Sequence, residues 1–526
     1  MEQVHTKNVV RHIEKRRIGT CQFANRVASV SLDAYKSVVP KPQRDAMKQT
    51  VVAAIVVHYS NKYNQSDEKQ DNVGKLRVVG LGVGTKFVSH DLITEEQNSE
   101  HNSYGKRIRD CHAEVLARRA FRRQVALEML ADLKRETSSD SDDDYSILER
   151  VECKDGEMQT NICYRLKPNV TLHFYASSAP CGNATLKKFV KMEKEVFDAS
   201  LGPDEWPQTA HTPIAAHSLR LGQFALLVKK DGSASASQDE GNAVDGSASA
   251  SQDEGNAVEM VSTPQQLSEE TCDQREVEQQ PKKKKKTKIW PCRESDAWCP
   301  PSCSITRYNK GTIHSCSDKI CRWNCIGLQG SFLMPLLEAP MYMTTLTVGR
   351  KFSRAICQRA VCCRAEGFGN NSNDKYKLNH PALMETNVYM DESGTHPMEG
   401  NKMIGGDASF DSTLCWVWWP GKGGSSKADC IDGKTGLVTS YCDGETAQNT
   451  TSYSDVSTCA LLKINFEILH LCGVVVPVSA SLTDEKLSLS ELRMMKRRLS
   501  AQYESAKDTF FLRNRVFRDW CCRESR

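Results

Sequence analysis

The sequence predicts an α/β fold in which helices pack on a largely buried sheet. Three observations carry that expectation: β-branched runs alternate with long amphipathic segments, the runs end in glycine or proline, and the clearest runs lead straight into helix starts. "LRVVGLGVGTKFVS" (76–89) reads as a strand with a glycine-punctuated end. "CHAEVLARRAFRRQVALEMLADLKRE" follows as a long amphipathic helix, with Asp110 or Cys111 placed to cap it. "NVTLHFYASSAP" (169–180) is a second strand and runs into a second helix, "CGNATLKKFVKMEKEVF". "SCSDKICRWNCIGLQGSFLMPLLEAP" reads as a third helix and "MYMTTLTVG" as a third, buried strand. "SLSELRMMKRRLSAQYESAKDTFFLRNRVFRDW" is helical again.

Two stretches interrupt this order, so residues 1–526 read as one domain with two insertions. The first, about 136–157, is acidic, Ser-rich and without apolar periodicity. The second, about 229–290, contains the tandem repeat "DGSASASQDEGNAV" and ends in "PKKKKKTK". Such polar sequence cannot bury enough apolar surface to offset its ordering entropy, and disorder is expected there. The lysine run is a solvated patch or a nuclear-import or RNA-tethering signal.

Net charge is only +4, from 70 Lys+Arg against 66 Asp+Glu, so no global field announces a nucleic-acid partner. Twenty-two cysteines would suit a secreted disulfide protein, but no secretory h-region follows the opening "MEQVHTKNVVRHIEKRR". Reduced thiols, some of them metal ligands, and a nuclear or cytoplasmic location without membrane or DNA partners are expected. The longest apolar runs, "VVAAIVV" and "LCGVVVPV", are too short to span a bilayer.

Chemistry concentrates where strands end. His112 and Cys181 both fall at strand-to-helix junctions, where free N–H groups and the positive helix end favour a thiolate. A catalytic zinc site uses three protein ligands and keeps a fourth position open. In the first helical turn Glu114 can lean over the same ion as His112, where a carboxylate moves protons between water and a leaving amine. A lone His-x-Glu arises often by chance, and Pro-Cys-Gly is commonly a turn. Together and in this order they match the zinc nucleobase-deaminase pattern H-x-E…P-C-x-x-C, except that position 184 is Ala184. The third ligand must come from elsewhere.

"CHAEVLARR", "SSAPCG" and "SCSDKICRWNCIGLQGSFLMPLLEAPMY" resemble the adenosine-deaminase domain that the tRNA-specific adenosine deaminase 1 family shares with the double-stranded-RNA editing deaminases. The likeness continues through "YKLNHPAL" and "IDGKTGLVTS" to "AQYESAKDTF". "PQRDAMKQTVVAAIVVHYSNKY" resembles that domain's first helix. The resemblance implies a cytidine-deaminase-like three-layer α/β/α sandwich, with a mixed central sheet and extra C-terminal helices. It implies zinc held by His112, Cys181 and Cys316, with Glu114 as proton shuttle. It also implies buried inositol hexakisphosphate. Arg118, Arg119, Lys319 and Arg322 would surround it, since unpaired charge inside a domain is costly, and Arg493, Tyr503 and Lys507 would complete the pocket. Cys292, Cys299 and Cys303 lack a matching fourth ligand for a second zinc site.

The substrate implied is tRNA, at adenosine 37 of alanine tRNA, because residues 1–75 leave no room for a double-stranded-RNA-binding module. The alternatives are an mRNA-editing deaminase and, from another class, a zinc-stabilised RNA-binding scaffold without turnover. Intact Glu114 argues against the scaffold. A free-nucleoside cytidine deaminase would need the short Cys-x-x-Cys spacing and a smaller chain.

Overall fold

A computed structural model describes residues 22–47, 50–60, 74–88, 92–93, 105–135, 146–152, 162–185, 313–369, 375–390, 413–421, 426–439, 441–442, 445–446, 452–474, 489–513 and 517. All belong to one unit, Met1–Lys230 with Glu294–Arg526. The second insertion with its repeat and lysine run lies outside the described residues, as do Cys292, Cys299, Cys303 and the second expected helix beyond Thr185.

The centre is a mixed sheet. Its strands are β1 (Val52–Tyr59), β2 (Lys75–Val83), β7 (Val170–Ser178), β8 (Thr345–Arg350), β9 (Ala382–Glu385), β10 (Leu414–Trp419), β11 (Lys427–Asp432) and β12 (Leu437–Val438). They lie in the order β12-β11-β10-β2-β1-β7-β8-β9. β7–β8 and β8–β9 are parallel and the other pairs antiparallel. Four shorter strands outside the main sheet form two pairs: β3 (Thr85–Phe87) with β4 (Asp110–His112), and β5 (Leu148–Glu152) with β6 (Ile162–Leu166).

β1 shows why three layers form. Its Ala53, Ile55 and Val57 pack with Ala117, Phe121 and Val125 of helix α3 (Ala113–Leu133). Its Val52, Ala54 and Val56 pack with Val27, Leu32 and Tyr35 of helix α1 (residues 22–38) on the opposite face. A strand covered on both sides has no polar face to alternate with, so it reads as one apolar run. That run is therefore a strand and not the first helix of the domain expected over "PQRDAMKQTVVAAIVVHYSNKY"; only Lys41–Ala46 (α2) is helical there. A short apolar run has no period that separates strand from buried helix, and β-branched Val and Ile favour the strand.

α3 lies unusually close to β2. A Cβ at Gly82 would sit 2.2 Å from the Ala113 carbonyl and 2.5 Å from the Ala117 nitrogen, so the glycines of "VVGLGVG" allow backbone to meet backbone. The expected strand 76–89 breaks at Gly84 (φ 150°), and β3 turns away to pair with β4. The acidic insertion is also shorter than expected. Leu148–Glu152 is strand, anchored by Ile147 N–H donating to the Glu128 carboxylate at 3.0 Å and by Arg150 to Asp132 at 2.7 Å. Only Leu148 of that strand is buried, and three of its five residues are charged, so it gives little apolar signal.

Helix α4 (Cys316–Ile326) stops well before the expected 340. Gly327 (φ 85°) ends it, and the buried Gln329 side chain donates to the Ile326 carbonyl at 2.9 Å while accepting from Met341 N–H at 2.9 Å. Helix α5 (Arg354–Val361) precedes β9, and α6 (Thr458–Leu471) packs on α3. The C-terminal helical segment is two helices, α7 (Leu489–Leu499) and α8 (Ala501–Arg513).

Candidate active site

His112 ends β4 and stands at the N-terminal edge of α3, with extended geometry (φ −64°, ψ 142°) and no capping bond from its side chain. Asp110 does not cap the helix either, and neither does Cys111. The Asp110 carboxylate instead accepts the His112 N–H at 3.0 Å and lies 2.6 Å from His112 Nδ1. With Nδ1–H held by a carboxylate, Nε2 is left as the lone-pair nitrogen, an arrangement common behind metal-ligating histidines. Phe87 stacks on the ring, 5.8 Å between centroids.

Cys181 follows β7 and Cys316 begins α4, and two loops interlock to bring them together. Cys316 N–H donates to Cys181 Sγ (3.2 Å), Ser317 N–H to the Cys181 carbonyl (3.0 Å), and Asn183 N–H to Ser317 Oγ (2.9 Å). Gly182 (φ 96°) permits the closeness, because a Cβ there would lie 2.2 Å from Ser315 Oγ. Ser315 caps α4 by accepting the Asp318 N–H. Buried Asp318 pairs with buried Arg364 at 2.6 Å, and chiefly that charge holds its carboxyl low despite burial.

The ligand atoms of His112, Cys181 and Cys316 all lie within 4.8 Å of one another. The Cys181 thiol is lowered by the hydrogen bond from Cys316, while burial and the same sharing raise Cys316. Glu114 is only 3% exposed and reaches Cys316 with its carboxylate. One imidazole, two thiols and no fourth protein ligand among the described residues form a donor set that fits a zinc ion with an open position.

A second cluster lies a turn further along these helices. Arg118 rests on Trp323, 5.0 Å from guanidinium to ring. Burial, then Arg122, Arg322 and Arg119, push its pKa down to about 9. Arg122 falls to about 10 through burial and Arg119, and Lys496 of α7 to about 8 through burial, Lys507, Arg122 and Arg322. These side chains keep some accessible surface. Arg118 Nε has no hydrogen-bond acceptor among the described residues. Crowded cations of this kind fit a polyanion.

Of the residues predicted for that pocket, Arg118, Arg119, Arg322 and Tyr503 come together, with Lys507 near Lys496 and paired to Glu504 at 2.7 Å. Lys319 is engaged by Asp110 and so adjoins the residue that holds His112. From α7, Lys496 lies among the cations, three residues beyond the half-buried Arg493. Sequence reasoning missed Arg122 and Lys496. Arg122 follows Arg118 by four, so helical periodicity could have found it; Lys496 sits in a run of basic residues with nothing to single it out.

An α/β/α sandwich that gathers His-x-Glu and two cysteines at strand ends and helix starts has the features of the nucleobase-deaminase class. The sequence pattern of the adenosine-deaminase (editase) domain matches residues 80–524, and the chain belongs to that family. It is 24% identical over 371 residues to the double-stranded RNA-specific adenosine deaminase of Rattus norvegicus, covering 70% of this chain and 23% of that protein. It is 26% identical over 375 residues to tRNA-specific adenosine deaminase 1 of Mus musculus, covering 63% and 66%. With the Homo sapiens protein of that name it shares 24% over 388 residues, covering 66% and 71%. The chain thus spans under a quarter of the double-stranded-RNA-specific relative and about two thirds of the tRNA-specific ones.

Proposed function

We propose that the protein is a zinc-dependent hydrolase that deaminates adenosine to inosine in tRNA. The observation that carries this reading is the convergence of His112, Cys181 and Cys316 around one point with buried Glu114 beside it. A zinc ion held there supplies the Lewis acidity that makes water nucleophilic near neutral pH. His112 is oriented for its ligand role by Asp110, and the interlocked Pro-Cys-Gly and Ser-Cys-Ser loops fix the two sulfurs. Glu114 takes a proton from the water that adds at C6 of adenine and delivers one to the departing amine, so that ammonia leaves and a carbonyl remains. Its burial excludes bulk water from that exchange.

Inositol hexakisphosphate is the polyanion we assign to the Arg118, Arg119, Arg122, Arg322, Lys496 cluster, with Tyr503 and Lys507 at its C-terminal side. The tRNA reading, at adenosine 37 of alanine tRNA, is supported by the extent of the match to tRNA-specific relatives. A loop adenosine is also easier to extrude than one stacked in a duplex. The test is to incubate the purified chain with folded alanine tRNA and with a long perfect RNA duplex, and to map inosine in both. Inosine at position 37, absent when that adenosine is replaced, is expected. Duplex editing with the tRNA untouched would transfer the reading to mRNA or double-stranded RNA.

A further inference from the structure

Helix α5 ends at Val361, and the chain leaves helical geometry at Cys362 (φ −149°, ψ −58°) before a single 3-10 turn, Cys363–Ala365. That break brings two consecutive thiols to one side, with their sulfurs 3.7 Å apart. The segment leading into β9 adds His380, whose Nδ1 lies 3.8 Å from Cys363 Sγ. All three ligand atoms lie within 4.8 Å of one another. His380 is held in place by its neighbour. Asn379 N–H donates to the Asn324 carbonyl at 2.7 Å, and Asn379 Nδ2 donates to Asn324 Oδ1 at 3.0 Å and the Met343 carbonyl at 2.8 Å.

The spacing can be compared with what a tetrahedral cation requires. Bonds of about 2.3 Å to sulfur and about 2.0 Å to nitrogen place sulfurs roughly 3.8 Å apart and sulfur and nitrogen roughly 3.5 Å apart. The observed 3.7 and 3.8 Å are close to both values. A thiol–thiol and a thiol–imidazole hydrogen bond would each account for one distance, and it is the meeting of all three ligand atoms within 4.8 Å that points to a cation. Cys362 is buried, Cys363 half-buried and His380 exposed, so an open coordination position would face solvent.

We propose that Cys362, Cys363 and His380 form a second metal site, for a thiophilic divalent cation of the zinc type with water as fourth ligand. Binding displaces the two thiol protons, including the one Cys362 donates to the Gln358 carbonyl at 3.1 Å. The ion joins the end of α5 to the strand that closes the sheet edge. None of the three residues belongs to the deaminase site, and the proposal stands apart from the reading of that site.

The experiment compares the full wild-type chain with Cys363→Ser and His380→Ala under reducing conditions. Zinc content per chain is measured after purification, and cobalt(II) is then titrated into metal-stripped protein while thiolate-to-cobalt charge-transfer absorption is followed. Each variant is expected to bind one equivalent fewer than wild type and to lose the matching part of the absorption. If the deaminase site loads, the counts run from two to one; if it does not, they run from one to none. The difference therefore reads the second site alone. His380 is exposed, so its replacement leaves the core intact if the cysteine variant folds poorly. Equal metal counts and unchanged absorption in wild type and His380→Ala overturn the proposal.

Discussion

Asp110 makes contact with three groups that the site depends on: the His112 N–H, His112 Nδ1 and the Lys319 ammonium. Asp110→Asn removes the charge that favours the Nδ1–H tautomer and leaves Lys319 less well compensated. The expected loss in zinc affinity is about 10–100-fold, the usual cost of altering a residue behind a metal-bound histidine, measured by competition with a chelator. Glu114→Gln should act differently. It keeps the shape and the metal but cannot carry a proton, so turnover should fall by roughly 10²–10⁴-fold, with zinc content at the wild-type level. Zinc lost from Glu114→Gln would instead make the carboxylate a ligand. Much of this site was legible in the sequence because His112, Glu114 and Cys181 sit at fixed offsets from strand ends. Cys316 was not legible from spacing: 135 residues separate it from Cys181, and only the resemblance of its Ser-Cys-Ser-Asp-Lys surroundings pointed to it. That Lys319, expected among the pocket cations, also meets Asp110 was not legible, because nothing in sequence shows that Asp110 lies opposite it.

At the scale of elements, the pairing of β7 with β8 includes a buried histidine. His173 Nδ1 lies 2.9 Å from Thr345 Oγ1 across the strands and Nε2 lies 2.8 Å from Thr171 Oγ1, on a residue 4% exposed. Burial, with His58 nearby, lowers its pKa from 6.5 to about 4. Between those values the unfolded chain binds a proton that the native state refuses, so stability rises with pH through the window and is lost as pH falls from 6.5 toward 4. The contribution is up to roughly 3 kcal/mol from a shift of this size. Denaturant unfolding of wild type and His173→Gln at several pH values should show the shallower slope in the variant. Identical slopes would mean that His173 titrates normally. The strands themselves were legible as β-branched runs, and the apolar face of α3 as helical periodicity. β1 was misread because burial on both faces erases periodicity, and α4 was drawn too long because Gln329, which satisfies its end, looks like any polar residue.

At the scale of the whole described unit, like charge gathers where the deaminase layers meet the C-terminal helices. Arg118 and Arg122 come from α3, Arg322 from α4, Lys496 from α7, and Tyr503 from α8 stands among them. The lowered pKa values show that burial and mutual repulsion work against this gathering of charge. A multiply charged anion at the centre would reverse the sign, since each phosphate would meet a guanidinium or ammonium in an environment of low polarity. The anion we propose would add a tie between α3, α4, α7 and α8 beyond their apolar packing through Trp323, Tyr503 and Phe510, and its removal should destabilise the unit. Arg118→Met with Arg122→Met should give protein that is insoluble or melts many degrees lower, because the remaining phosphates would be buried without enough cations. Acid-denatured wild-type protein, extracted and assayed for organic phosphate by mass spectrometry, should release inositol hexakisphosphate at about one per chain if the assignment holds. A soluble double variant with wild-type melting, or an extract free of inositol phosphate, would remove the anion from the structure and leave the cluster to be explained by another polyanion.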